Sequence, residues 1–278
     1  MRFNPKHTQF MAYALLGGAT LLTLAALLFI VFFVLEKGLP VLSPSFLFTN
    51  PQDMGKAGGI LPTIVGTMML ALLALLIATP LGVGTAVYLT EYTRESRLTS
   101  VIRFGTDCLA GIPSIIFGLF GFIFFVTALR MGWSILSGGL TLAFMILPTI
   151  IRTTEEAVRA VPKAYREVSY SLGATRWQTV RKVILPNALP GIVTGVMLGL
   201  GRAIGETAAV IFTAGSSLRM PSSVFDSTRT MAVHFYILAR EGISTGNAYG
   251  TAAALVISVL SINLVAYLLM NYVIGRRT

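Results

Sequence analysis

Charge is what this sequence has least of. Of its 278 residues only 12% are Asp, Glu, Lys or Arg, while 55% are hydrophobic. An ordinary soluble domain carries about 25% charged residues, so the composition argues against a water-soluble globule and for a membrane protein. Cysteine is nearly absent. The lone Cys108 cannot form an intrachain disulfide or a cysteine metal site, and it reads as packing filler. Histidine is limited to His7 and His234, and no H-E-x-x-H occurs, which excludes that zinc motif. No G-x-x-x-x-G-K-[ST] occurs either, so the chain cannot hold a P-loop ATPase site of its own. Acidic side chains number 11 against 21 Lys and Arg, a formal net charge of +10. No basic cluster combines with aromatics as a nucleic-acid surface would require, and no nucleic acid is expected as partner. The basic residues instead gather between apolar stretches, as in a chain oriented by a bilayer.

Long charge-free runs are what the sequence has in quantity. They cover residues 8–35, 57–90, 108–129, 131–151, 183–218 with one interruption, and 242–275. Each exceeds the roughly 17–20 residues needed to cross the hydrocarbon, which predicts six membrane helices in an all-α fold. The first run follows Arg2 and Lys6 like a signal peptide. Its length is about twice that of a signal-peptide core and no small-residue cleavage site precedes Glu36, so a retained helix is expected. Run 57–90 would span about 50 Å as one helix, against about 30 Å of hydrocarbon. Pro80 with Gly82 and Gly84 is expected to bend it, whereas Pro80 and Pro113 are otherwise ordinary bend or helix-start residues. Lys and Arg number 14 on the side holding both termini and residues 91–107 and 152–182, and six on the other. That bias places both termini in the cytoplasm, in agreement with an even number of crossings. The expected divisions are 1–58 (N-terminal tail, first helix and external loop), 59–272 (transport domain) and 273–278 (cytoplasmic tail).

The loop 152–182 holds the largest basic cluster. Pro162 should stop the fourth helix, residues 163–172 suit a short helix, Gly173 its C-terminal cap, and Thr175 the start of the next segment. Such a helix either lies on lipid headgroups or docks a soluble partner. On the external side residues 230–239 suit another short helix, and 37–56 reads as loop.

Within the interrupted run stand Arg202 and Glu206, with no charge from Val183 to Gly201 or from Thr207 to Leu218. A charge at mid-membrane costs about 2.5–3.5 kcal/mol on insertion scales and faces a protein interior or water path. At i,i+4 spacing the two share a helix face, as an anion pathway pair or a static ion pair that fixes packing. Arg152 with Glu155 and Glu156 ends the fourth helix, either as a solvated end with i,i+3 and i,i+4 pairing or as an inner mouth. Gly191, Gly195 and Gly199 form two overlapping GxxxG steps for close approach to another helix, within the bundle, in a second subunit, or as a gating hinge. One G-x-S-x-G occurs, at Gly242–Gly246. It lacks a preceding strand, and Asp226 and His234 are remote candidates for triad partners, so a Gly-rich turn is expected.

Glu167-Val168-Ser169, then Gly173, then Val183-Ile184-Leu185-Pro186, resemble the E-A-A…G…I-x-L-P loop of binding-protein-dependent ABC importer permeases. Val168, Ser169 and Val183 depart from its consensus. Pro113–Phe120, Ile151–Glu156 and Gly201–Ala208 resemble signatures of the phosphate importer permeases, PstA-type, with PstC-type permeases as close relatives. The resemblance implies a type I ABC importer (MetI-like) permease fold with a cytoplasmic coupling helix in a bacterial inner-membrane phosphate importer. It implies ATPase coupling through Glu167, Ser169, Gly173, Leu185 and Pro186, and a transport pathway through Arg202, Glu206 and Arg152. It also implies a PstC-like second permease subunit, two PstB-like ATPase subunits, an extracytoplasmic PstS-like phosphate-binding protein and membrane lipid as partners. No cofactor is expected in this chain, since ATP and Mg²⁺ would sit on the partners. Sulfate and molybdate permeases and an ion-coupled secondary transporter are the competing classes.

Overall fold

The computed structural model describes residues 5–275. Arg2, Arg276 and Arg277 of the charge count, and the end of the expected 273–278 tail, lie outside the described residues.

The first described helix is α1, Pro5–Gly38, apolar on every side through its middle and exposed from Met11 to Ile30. Only its last turns pack, on the final helix: Phe33 meets Tyr249 edge-on at 5.9 Å, and Gly38 lies against the Tyr249 carbonyl. Segment 37–56 is not plain loop. Ser43 Oγ accepts from Phe46 N at 3.1 Å and starts α2, Pro44–Phe48. Strands β1, Pro51–Gln52, and β2, Ala57–Gly58, then pair around Asp53, Met54 and Gly55, all at positive φ.

Helix α3, Leu61–Val87, starts four residues later than its apolar run, with Pro62 in the first turn where no amide donor is needed. It continues as helix through Pro80, the place of the expected bend. Nearby Gly82 lies so close to α6, Ile135–Ala160, that an added Cβ would stand 2.7 Å from Ile150 Cγ2. Helix packing there holds the turn despite the donor that Pro80 lacks. The change of register comes later, in a π turn at Tyr88–Tyr92.

Run 108–129 is divided between two helices. The first, α4, Arg97–Ala110, is capped by Ser96 and Thr99; the second, α5, Ser114–Gly121, starts after Pro113 and continues as a π segment, Phe122–Ala128. The two halves bend by 100°. Helix α4 buries only Thr99 and leaves Leu98, Val101, Phe104 and Leu109 exposed.

The 152–182 region follows its sequence signals. Helix α6 ends before Pro162, and α7, Lys163–Ser171, ends before Gly173 at φ +79. Thr175 and Gln178 form the capping box of α8, Arg176–Thr179, and a π turn, Val180–Ile184, leads into α9, Leu185–Gly205. Three helices complete the chain: α10, Ala208–Thr213; α11, Met231–Arg240; and α12, Thr245–Gly275.

Among the described residues five helices are long and apolar enough to cross a membrane, or six if the bent α4–α5 pair counts as one span. The core lies where α3, α6, α9 and α10 meet: Leu70, Ala74, Ala78, Leu142, Met145, Ile146, Ile150, Ile204 and Val210 are buried there. A smaller cluster of Val87, Val158, Val161, Val180, Ile184 and Ile192 locks the 152–182 end of the bundle together.

At the opposite end the segment between α10 and α11 covers the start of α6. Ile135 N donates to Asp226 O at 2.9 Å and Leu136 N to Val224 O at 2.8 Å. The Asp226 carboxylate accepts from Ser222 N, Ser223 N and Ser222 Oγ at 2.8, 2.8 and 2.9 Å. These bonds, the backbone donors first, hold its pKa below the ordinary 3.8. A depressed carboxylate stabilises the fold above its ordinary pKa and loses that contribution as pH falls through the lower folded value. The turn is therefore at full strength at neutral pH. Asp226→Ala should speed hydrogen exchange at the Ser222 and Ser223 amides at pH 7; unchanged exchange would mean that the carboxylate does not hold the turn. Beside this turn Arg229 is buried, donating Nε to Ser216 O at 2.9 Å, with His234 Nδ1 3.5 Å from its Nη1. Burial and then the Arg229 charge push His234 down to about 4, so it is neutral at neutral pH.

Candidate functional site

Arg202 lies in the last turn of α9, half-buried, beside core residues Ala203 and Ile204. The expected pairing with Glu206 does not form. Helix α9 ends at Gly205, and Glu206 takes φ −74, ψ 131, so the i,i+4 geometry that would join the two is lost. Glu206 Oε1 instead accepts from Ala209 N at 3.2 Å, at the start of α10. Among the described residues no ion pair or hydrogen bond engages the Arg202 guanidinium. The side chains share a helix break between two apolar segments, but Glu206 is turned to the start of α10 while Arg202 is left unpaired among the described residues.

Arg152 stands on α6 among charges that α4 supplies. Its Nη1 meets Asp107 Oδ1 at 2.6 Å, and its Nε lies 3.6 Å from Glu156 Oε1. Glu155 pairs not with Arg152 but with Arg103 Nε at 3.4 Å, and Arg103 also holds Glu95 at 2.8 Å. The i,i+4 pair of the solvated-end reading is present; the i,i+3 pair is replaced by a bond across helices. A cavity of about 220 Å³ opens among Arg103, Asp107, Arg152, Glu155, Glu156 and Arg159. The structure thus brings Arg152 into a cavity lined by three arginines, itself included, and three carboxylates, and does not bring it to Arg202 through any hydrogen bond or ion pair.

The residues of the E-A-A-like loop divide by role. Glu167 is exposed on α7, and Ser169 is buried with its Oγ 2.8 Å from Thr179 Oγ1. Gly173 closes the helix at positive φ, its N–H donating to Tyr170 O at 2.9 Å. Leu185 packs on the Val158–Ile184 cluster, and Pro186 occupies the first turn of α9. Together they fix a helix whose exposed residues mix Tyr165, Val168 and Tyr170 with the charged Lys163 and Glu167, and exposed Leu172, at 83%, and Trp177 on α8 extend that surface beyond its end. Helix α7 and the end of α3 border a second cavity of about 520 Å³, lined by Thr90, Glu91, Arg159, Lys163, Arg166, Glu167 and Tyr170.

The glycine stripe serves packing inside this chain. An added Cβ at Gly191 would meet Ala157 Cβ at 2.5 Å, at Gly195 it would meet Thr153, and at Gly199 Ile146 and Ile150, all on α6. The hydrolase-like G-x-S-x-G is a turn: Ser244 Oγ accepts from Asn247 N at 3.2 Å and starts α12, while Asp226 and His234 are engaged elsewhere.

Sequence reading missed Glu91, Arg103, Asp107 and Arg166. For Glu91 and Asp107 a weak signal was present, acids at the ends of apolar runs on the side where the bias favours cations; for Arg103 and Arg166 there was none beyond that bias.

The family model described as "Binding-protein-dependent transport system inner membrane component" matches residues 78–278. The chain is similar to "Probable ABC transporter permease protein YqgI" of Bacillus subtilis, with 35% identity over 95% of each chain. It is 37% identical to "Phosphate transport system permease protein PstA 1" of Mycobacterium tuberculosis, over 80% of this chain and 73% of that protein. Among solved structures, the MetNI methionine ABC transporter in inward-facing conformations matches with a TM-score of 0.64 and 20% identity. That match covers 77% of this chain and 95% of the other. The likeness shows a MetI-like permease fold.

Proposed function

The chain belongs to the binding-protein-dependent transport system inner membrane components, and we propose that it is the PstA-type permease subunit of an ATP-driven inorganic phosphate importer. The observation that carries the proposal is half-buried Arg202, its guanidinium left without a partner among the described residues where α9 breaks between apolar segments. Phosphate near neutral pH offers one to two negative charges and several strong acceptors, and a guanidinium supplies a permanent charge with planar, bidentate donors. Arg202 sits at the C-terminal end of α9, where the helix carbonyls are partly negative. These carbonyls favour the cation and weaken its hold on an anion, and passage requires weak binding. Glu206 stands beside this position as a local negative charge, and Arg152 contributes to an inner mouth with Arg103 and Arg159.

The chain has no ATPase motif. Hydrolysis, with its ATP and Mg²⁺, belongs to two PstB-like subunits docked on the exposed face of α7. A PstC-like permease would complete the pathway, and a PstS-like binding protein would deliver phosphate at the Asp226 end. Both termini then lie in the cytoplasm. The PstA-named relative supports phosphate as the solute. Uptake of radiolabelled phosphate into vesicles holding the reconstituted complex, competed with sulfate or molybdate, tests this. ATP-dependent uptake that excess unlabelled phosphate abolishes and excess sulfate or molybdate spares is expected. Equal competition by sulfate or molybdate would reassign the substrate, and uptake without ATP or an ATPase subunit would reassign the class.

A further inference from the structure

We propose that the Glu91–Arg166 pair is the joint through which movement of α7 reaches the membrane helices, a reading that rests on α7 being the ATPase-docking helix. Helix α7 has little apolar grip of its own: Ser169 is its one buried residue. A helix so loosely seated could be pushed without moving anything behind it. Arg166 removes that slack. Its Nη2 lies 2.7 Å and its Nε 3.2 Å from Glu91 Oε1, beyond the end of α3. Its Nη1 donates to Val161 O at 2.6 Å and its Nη2 to Val158 O at 2.9 Å, at the end of α6. Those carbonyls lie at a helix C-terminus, where the last four have no donor within the helix. One guanidinium therefore ties α7 to α3 and to α6, the two helices that pack most extensively on each other.

The joint is shielded from solvent: the side chain of Glu91 is 8% exposed and that of Arg166 17%. Water competes poorly there, and removing one partner leaves the other charge buried and unpaired, which is strongly destabilising locally. Glu91 also lies within the π turn Tyr88–Tyr92. Here the π segment forms the last turn of the helix, with Thr93 already extended; wide turns of this kind recur at functional sites, so the end of α3 has a place to flex next to the contact. Pulling α7 would then turn the end of α3 and draw on the end of α6 together.

Glu91 and Arg166 are thus positioning residues for transport, with no contact to solute required. In the reconstituted complex Glu91→Gln should leave the ATPase subunits bound and basal hydrolysis little changed. Phosphate moved per ATP hydrolysed should fall by about tenfold, the upper range of a coupling network. Stimulation of hydrolysis by the loaded binding protein should fall with it. Arg166→Lys, which keeps the charge but not the fork, should give an intermediate ratio; it is also the variant to read if Glu91→Gln does not assemble. An unchanged phosphate-to-ATP ratio overturns the proposal. So does a fall of transport and hydrolysis in proportion, or the failure of both variants to assemble, since the pair would then serve only the fold. Failure of the docking reading would appear separately, as wild-type complex purifying without an ATPase.

Discussion

Arg202→Gln is expected to cut phosphate uptake by about 10- to 100-fold while leaving the amount of chain in the membrane unchanged. A hydrogen bond to a charged group contributes about 1.5–3 kcal/mol, and each 1.4 kcal/mol is about a factor of ten. Glutamine keeps a donor but loses the charge and the fork. Abundance should hold because no ion pair or hydrogen bond among the described residues depends on this guanidinium. Removing it from an apolar helix also spares the insertion cost of a charge. Arg202→Lys should fall between the two, retaining attraction without bidentate geometry. Counting chain in the membrane by immunoblot alongside uptake separates the readings. Normal uptake would remove Arg202 from the pathway, and lost chain with lost uptake would make it structural. Glu206→Gln should have a smaller effect, since the amide oxygen can still accept from Ala209 N.

Gly195→Leu should remove most of the chain from the membrane. Any Cβ at this position falls onto Thr153 Oγ1 and stands 2.8 Å from Thr153 Cβ. Thr153 cannot easily retreat, because its Oγ1 donates to Thr149 O at 2.8 Å on its own helix. Overpacking a well-filled core costs about 1–3 kcal/mol and occasionally more. Here α9 would have to stand off α6 along the whole stripe from Gly191 to Gly199, so the upper end of that range or beyond is expected. Gly201→Ala is the control: nothing lies within 4 Å of an added Cβ there, and its abundance should match wild type. Thermal inactivation of the purified complex would rank the two. Equal midpoints would mean that the α6–α9 contact does not set stability.

Local chemistry made much of this chain readable. Pro162, Gly173, Thr175 and Thr230 each act within a turn or two of where they stand, so the limits of α6, α7, α8 and α11 followed from their neighbours. Arg202 stood out because hydrophobic residues surround it in sequence as well as in space. The direction of Glu206 was not legible. The i,i+4 rule assumes a continuing helix, and the break between Gly205 and Thr207 depends on α10 packing against α5. Charge pairing across the fold was equally hidden: Glu91 and Arg166 are 75 residues apart, and Arg152 and Asp107 are 45 apart. Nothing in either neighbourhood names the other partner. The run 108–129 marked a span that counts only as a bent pair, since its apolar character belongs to α5, while α4 upstream turns its polar side toward α6.

That reversal gives α4 an unusual sensitivity. It is fastened by the more sheltered Arg103–Glu155, whose side chains are 24% and 12% exposed, by Arg152–Asp107, at 63% and 56%, and by almost no buried apolar surface. Electrolyte screens such pairs within about 10 Å at 0.1 M and about 3 Å at 1 M, while the apolar contacts among α3, α6 and α9 are indifferent to it. Raising ionic strength should therefore unfasten this one arm at its Gly111–Pro113 elbow long before heat disturbs the bundle.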